Sequence, residues 1–272
     1  MNTRMQNLRI ARENEKFIQD GCYEAGGRVF HFSLPLSRLQ QAEIYSPEKL
    51  EALEKAVRSH PLKKQGHIAV VEGDTMEHAG EAVLNFANAF TPGGGYLYGA
   101  SSQEEALCRE STLYASLSGP HAKAYYAYNR KRADIYGSDA LLLSPEVEIF
   151  RKSESSGSSL FGPPVKTAVI TAPAPDLRGP AGRMRPEEIR QVRIGRIRSF
   201  LSLAAAKEYR TLTLGAWGCG VFLNPPEEVA SDFRQVLVEE QFRLAFDSIL
   251  FVVYCPGGKE NLYAFQKAFN ES

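Results

Sequence analysis

The hydrophobic pattern of this chain changes period several times, and each change marks an element. Residues 5–20 carry Leu8, Ile10, Phe17 and Ile18 among many charges at a spacing that predicts a helix, and Gly21 stops it. Arg28 to Leu34 reads as a short strand closed by Pro35. Ser46-Pro47-Glu48 predicts a helix start, with serine as cap, proline at the first helical position and an acid in the first turn. Leu50, Leu53 and Val57 follow at helical spacing, and that helix ends by Pro61. From residue 67 compact apolar runs take over. His67–Val71, Ala82–Phe86, Val165–Thr171, Thr211–Leu214 and Ile249–Tyr254 predict strands. Helices are predicted over 102–117, 186–208, from Pro225 onward and over 259–269, with a half-buried one carrying Tyr125, Tyr126 and Tyr128 before the basic run Arg130-Lys131-Arg132. Leu141 to Phe150 ends extended, and Arg151 to Ser159 is polar enough to be a mobile loop. The arginines of the 186–208 helix read as a solvated outer face. This alternation predicts an α/β fold with a largely parallel sheet covered on both faces. Residues 67–272 form the main domain, and residues 1–66 an N-terminal extension packed on it.

Composition narrows the partners. Lys plus Arg and Asp plus Glu are both 32, so no global field draws the protein onto nucleic acid or an anionic membrane, and an anionic ligand must be gripped locally. The N-terminal stretch is too charged for a signal peptide and no apolar run approaches the length of a membrane span, which predicts a cytoplasmic protein. Cys22, Cys108, Cys219 and Cys255 are far apart and fit reduced thiols. The five histidines are equally scattered, so neither a metal site nor a cofactor is expected.

The candidate chemistry gathers in Asn85–Tyr114. An apolar run passes two asparagines, breaks on Pro92 and Gly93-Gly94-Gly95, and enters the helix-start pattern Ser101-Ser102-Gln103-Glu104-Glu105. A second glycine-rich loop spans Gly215 to Gly220. Each loop follows a predicted strand and precedes a predicted helix, where free amides suit a phosphate or diphosphate without net positive charge. Neither is a Walker loop or a GxGxxG fingerprint. Adjacent Glu104 and Glu105 point about 100° apart on a helix and cannot flank a bond as a standard glycosidase pair does, so one of them would be the proton donor. The same residues satisfy a capping box, Ser102 with Glu105 or Ser101 with Glu104, and spacing alone leaves both readings open.

GDTMEHAGEAVLNFANAFTPGGGY resembles the macrodomain core, and GGG followed by QEE resembles the signature of the microbial-type poly(ADP-ribose) glycohydrolases. VITAPAPD and LGAWGCGVFLNPPEEVA are similar to that family's strand exits and second phosphate loop. The resemblance implies a three-layer α/β/α macrodomain-like sandwich with a mixed, largely parallel sheet. It implies hydrolysis of the ribose–ribose bond at the free end of poly(ADP-ribose), with Glu105 as general acid and base and Glu104 on the ribose hydroxyls. It further implies that Asn88 holds the terminal ribose and Gln103 belongs to the substrate site. Gly93, Gly94 and Gly95, with Gly218, Cys219, Gly220, Val221 and Phe222, would cradle the diphosphate, Phe222 packing on the terminal ADP-ribose. Asp74 would accept the adenine amino group, although as a residue it reads nearly as well as a turn aspartate. Asp176 stands where the family pattern leads one to expect asparagine. The partners implied are poly(ADP-ribose) or ADP-ribosylated protein, with ADP-ribose as product. A hydrolase of mono-ADP-ribosyl groups on protein or nucleic acid, and a non-catalytic ADP-ribose reader, are the competing readings.

Overall fold

The computed structural model describes residues 3–60, 62–132 and 134–270. Pro61, where the sequence ends its second helix, lies outside them. In chain order the elements are α1 (Thr3–Asp20), β1 (Cys22–Ala25), β2 (Arg28–His31), α2 (Leu36–Leu39), β3 (Glu43–Tyr45), α3 (Pro47–Arg58), β4 (His67–Glu72), β5 (Ala82–Phe86), α4 (Gln103–Glu110), α5 (Leu113–Ser118) and α6 (Lys123–Arg132). Then come β6 (Leu141–Arg151), β7 (Leu160–Ala172), α7 (Pro186–Ala206), β8 (Thr211–Leu214), α8 (Pro226–Arg234), β9 (Ser248–Val253) and α9 (Glu260–Asn270). β1 and β2 make a small hairpin, and the other strands form one sheet in the order β3-β6-β7-β5-β8-β9-β4. β7, β5, β8, β9 and β4 run parallel, whereas β6 pairs antiparallel with both β7 and β3.

Strand alternation splits the core. Ala82, Leu84, Leu143, Ile170, Leu212 and Phe251 point to one face and pack with Leu50, Phe200, Phe233 and Phe265 of α3, α7, α8 and α9. Val83, Leu142 and Val169 point to the other and pack with Ala11, Leu107, Leu113, Tyr125 and Tyr126 of α1, α4, α5 and α6. The result is a three-layer α/β/α sandwich with a mixed, largely parallel sheet. The N-terminal 66 residues meet this body in three ways. α1 lies on the α4 layer, β3 adds an edge strand to the main sheet, and the β1–β2 hairpin carries Tyr23 into a cluster with Phe32 and Phe150.

Three sequence expectations change. The helix expected over 102–117 is two helices, because Ser111 is extended (φ −145°, ψ −179°) and bridges Ile149, while Thr112 N donates to Glu148 O at 3.0 Å. The hydroxyl of Ser111 bonds Leu107 O and that of Thr112 accepts from Glu148 N, so two short polar side chains hand their backbone to β6 instead of the helix ladder. The polar run 151–159 is tied down: Arg151 is buried and bonded to Asn14 and Ser158 O, and Ser153 Oγ donates to Glu77 at 2.6 Å. Finally, α7 does not carry all its arginines outward. Arg193 and Arg196 are fully buried. Arg193 Nε bonds Asp232 Oδ2 at 2.6 Å, tying α7 to α8, and Arg196 bonds Asp139, Pro173 O and Tyr136 O, tying α7 to the loops at the strand ends.

Removing one partner of the Arg193–Asp232 pair leaves the other, still buried, with a single half-exposed counter-charge, Glu228 for Arg193 and Arg190 for Asp232. Arg193→Ala and Asp232→Ala should therefore each cost about 3–5 kcal/mol, and the double variant Arg193→Met/Asp232→Leu should recover most of the loss. Urea unfolding checks this, and single-variant costs below 1 kcal/mol would show that the pair is not what joins the two helices.

Candidate active site

The site forms where β5 ends and α4 begins. Gln103, the first residue of α4, uses its side-chain amide as a piece of extra strand: Oε1 accepts Phe86 N and Nε2 donates to Leu84 O, both at 2.9 Å. This fixes the first turn of α4 against the end of β5. Glu104, 3% exposed, then accepts Asn88 N at 2.7 Å and Asn85 Nδ2 at 3.2 Å. Glu105, 7% exposed, accepts Gly95 N at 2.7 Å through Oε1, while its Oε2 is enclosed without a hydrogen-bond partner. Ser102 makes no side-chain capping bond. The capping-box alternative is thus corrected, since both carboxyls reach across to the loop instead of back to their own helix end.

The loop between is shaped for this reach. Asn88 Oδ1 accepts Phe90 N and Thr91 N at 2.9 Å, closing a local turn. Gly93 and Gly94 follow at φ +63° and +57°, a region that disfavours a side chain. At Gly94 a Cβ would run into the Glu105 carboxyl, so glycine is required twice over. Burial pushes Glu104 up to about 8, with neighbouring Glu105 adding to the rise and the Asn88 and Asn85 donors opposing it. The low field of a helix start does not overcome that desolvation.

Across the cleft, the loop after β8 turns at Gly218 (φ +77°), where a Cβ would meet Ala174 and Asn224 at 2.6 and 2.8 Å. Trp217 Nε1 donates to Ala172 O and Asn224 Nδ2 to Pro175 O, both at 2.8 Å, which locks this loop to the exit of β7. Leu177 N donates to Phe222 O at 3.0 Å, and the Arg178 guanidinium lies 5.2 Å over the Phe222 ring. Arg178 in turn bonds Asp176 and holds that carboxyl below the usual carboxylate range.

Between the two loops lies a cavity of about 670 Å³, a size suited to a nucleotide. Asp74, Asn88, Gly94, Gly95, Gln103, Glu104, Glu105, Gly218, Gly220, Val221 and Phe222 all line it. Gly93 and Cys219 sit behind the lining: Gly93 packs under the Tyr114 ring, and burial pushes the Cys219 thiol up to about 12. The amide of Gln103 is already spent on β5, so its part is to position α4. Sequence reasoning missed Asn85, Asn224, Trp217 and Glu110, the last buried in the cavity wall. The asparagines flanking each glycine loop were the available signal, but an asparagine holding a loop looks no different in sequence from one in an ordinary turn. Among the described residues, no group of three or more His, Cys, Asp or Glu is arranged to hold a metal ion, and no helix is long and apolar enough to cross a membrane.

Residues 11–152 match the family model for the microbial-type PARG catalytic domain. Poly(ADP-ribose) glycohydrolase from Thermomonospora curvata superposes with a TM-score of 0.91 at 34% identity, covering 97% of this chain and 100% of that one. The chain belongs to the microbial-type poly(ADP-ribose) glycohydrolase family. The Deinococcus radiodurans poly(ADP-ribose) glycohydrolase in complex with ADP-ribose is similar at 37% identity and a TM-score of 0.78, with 88% of this chain and 99% of that one covered. The T. curvata glycohydrolase has also been solved bound to the inhibitor ADP-HPD, and that structure matches at 33% identity, TM-score 0.85, over 97% of this chain and 100% of that one. A comparison with curated proteins gives no match. Membership makes this chain a glycosidase that hydrolyses poly(ADP-ribose), with the three-layer macrodomain-like architecture of these glycohydrolases.

The close approach of Gly94 to Glu105 is testable against a control with the same backbone. Gly26 also has positive φ (+56°), but a Cβ there meets nothing within 4 Å. Gly94→Ala should lower poly(ADP-ribose) turnover by about a hundredfold or more, because the acid is displaced, whereas Gly26→Ala should pay only the backbone strain and keep turnover. Equal turnover in the two variants would overturn the requirement.

Proposed function

We propose that this glycohydrolase removes ADP-ribose from the free end of the polymer, with Glu105 carrying the proton in both halves of the reaction. The observation that carries the reading is the asymmetry of the Glu105 carboxyl: Oε1 is clamped by Gly95 N, and Oε2, enclosed in the cavity wall, is left for a proton. The glycosidic oxygen of the penultimate ribose takes that proton as its bond to the anomeric carbon breaks, and the shortened polymer leaves with a free hydroxyl. The positive charge that develops on the departing ribose is offset by the substrate's own diphosphate. The Glu105 carboxylate then accepts a proton from the attacking water, which completes ADP-ribose and restores the acid.

Glu104, held by Asn88 N and Asn85, faces the ribose hydroxyls beside the scissile bond. The 218–222 loop offers amides to the diphosphate, whereas the amides of Gly94 and Gly95 are taken by Thr91 O and Glu105 Oε1 and shape the loop instead, and Phe222, backed by Arg178, packs on the distal ribose. Asp74 takes the adenine amino group. ADP-ribose bound in the D. radiodurans enzyme and ADP-HPD bound in that of T. curvata support a nucleotide in this cavity. The cavity also favours amides over cations as the diphosphate grip. Its lining carries Asp74, Glu104, Glu105, Glu110 and Glu154 against only Arg109 and Arg178, and Arg109 is turned to Ala100 O.

Glu105→Gln removes the proton and keeps the shape. Turnover of poly(ADP-ribose) should fall by about 10²–10⁴ while calorimetric affinity for ADP-ribose stays within a few-fold. Undiminished turnover would remove Glu105 from the reaction. Wild-type protein that binds ADP-ribose yet leaves both polymer and mono-ADP-ribosylated protein intact would be a reader, and release from the mono-modified protein alone would favour the mono-ADP-ribosyl hydrolase.

A further inference from the structure

The reaction uses two acids of α4 and leaves a third, buried one without a task. Glu110 closes α4, is 3% exposed, and lines the cavity together with Asp74, Thr75 and Arg109. Its Oε2 is enclosed and receives no hydrogen bond. The charged groups around it offer little relief. Asp74 lies within hydrogen-bonding reach, and the Glu77 carboxylate adds further negative charge, with His78 beside it. Arg109, the preceding residue, compensates only in part because its Nη1 is bonded to Ala100 O at 2.6 Å.

A buried carboxyl beside a half-buried one is penalised as an anion by both burial and its neighbour's charge, and two carboxylates have no proton with which to bond each other. Asp74 is half-buried and accepts Met76 N at 2.9 Å through Oδ1, so it is the better solvated anion and the acceptor of the pair. The donor is then Glu110, whose orphaned oxygen is satisfied once it carries a proton. Burial and the facing Asp74 hold the Glu110 carboxyl well above the ordinary carboxylate range, in agreement with this assignment.

We infer that Glu110 is a positioning residue of the purine subsite: as a neutral acid it donates to Asp74 and holds that carboxylate where it accepts the adenine amino group, selecting adenine over 6-oxopurines. The inference rests on the reading of Asp74 as the partner of adenine. A 6-oxopurine would turn a carbonyl lone pair toward a fixed carboxylate, and a buried site built for a donor rejects a ligand that lacks one. The sign of the pH dependence follows. Below the raised pKa, Glu110 is neutral and the clamp is made. As pH rises through it, Glu110 becomes an anion beside Asp74, the clamp opens and adenine binding weakens.

The test is calorimetric titration of ADP and IDP into the wild-type chain, Glu110→Gln and Glu110→Ala across the neutral and alkaline range. ADP keeps the purine and diphosphate and lacks the distal ribose beside Glu104, whose titration near 8 is thereby separated from the readout. The wild type should prefer ADP over IDP by about tenfold or more at neutral pH and lose ADP affinity at high pH. Glu110→Gln, nearly isosteric and still a donor, should keep the preference and lose the alkaline decline. Glu110→Ala should narrow the preference several-fold. An unchanged ADP-to-IDP ratio in Glu110→Ala, or an alkaline decline in Glu110→Gln equal to that of the wild type, would overturn the inference. ADP-ribose binding by the wild type is measured alongside: its absence would sink the site itself, whereas its presence with an unmoved ratio would sink only the part given to Glu110.

Discussion

Two backbone N–H groups, of Asn88 and Gly95, grip the two carboxyls that open α4, and the rest of the site is arranged around those bonds. A carboxyl at the start of a helix ordinarily turns back to cap the helix's own amides. Here the loop comes to the carboxyls, which requires the helix to start beside the end of β5 and the loop to fold over it. Gln103 secures the first condition by pairing with the edge of β5. The turn closed by Asn88 and the positive φ angles at Gly93 and Gly94 secure the second.

The same bonds give two chemically identical neighbours different surroundings. Glu104 spends its oxygens on Asn88 N and Asn85, and burial lifts it to about 8. Glu105 spends one oxygen and keeps the other, and that spare oxygen is what a proton-transfer step needs. The cavity wall is rich in acids and the first glycine loop spends the amides of Gly94 and Gly95 on Thr91 O and Glu105, so a diphosphate in the proposed place would be held by amides of the 218–222 loop and not by a cationic surface. Such a grip selects for a short, well-placed anion, whereas a field of lysines would collect any polyanion.

Precision in the second loop is carried by polar groups buried well away from the chemistry. Trp217 and Asn224 fasten it to the carbonyls at the exit of β7, and Arg196 fastens α7 to the same exit through Pro173 O. Arg193 and Asp232 join α7 to α8, the helix that follows the loop. Each of these groups is costly to bury alone and is tolerable only with its partner in place, which ties the loop to one geometry.

Much of this protein was legible in its residues. Alternating apolar runs announced the α/β class, and the combination of GGG with QEE marked a stretch that lines the cavity, because backbone freedom and acid spacing are local properties that a sequence displays directly. Local patterns also misled. Ser111 and Thr112 read as helix until β6 claimed their backbone, Arg193 and Arg196 read as surface until Asp232 and Asp139 met them, and Glu105 read equally well as a cap. Which of two adjacent glutamates keeps a free oxygen, whether an arginine is solvated, and that Asp74 and Glu110 confront each other depend on groups far apart in the chain. Those outcomes belong to the tertiary structure, since burial and pairing, which decide charge, exist only once distant segments are brought together.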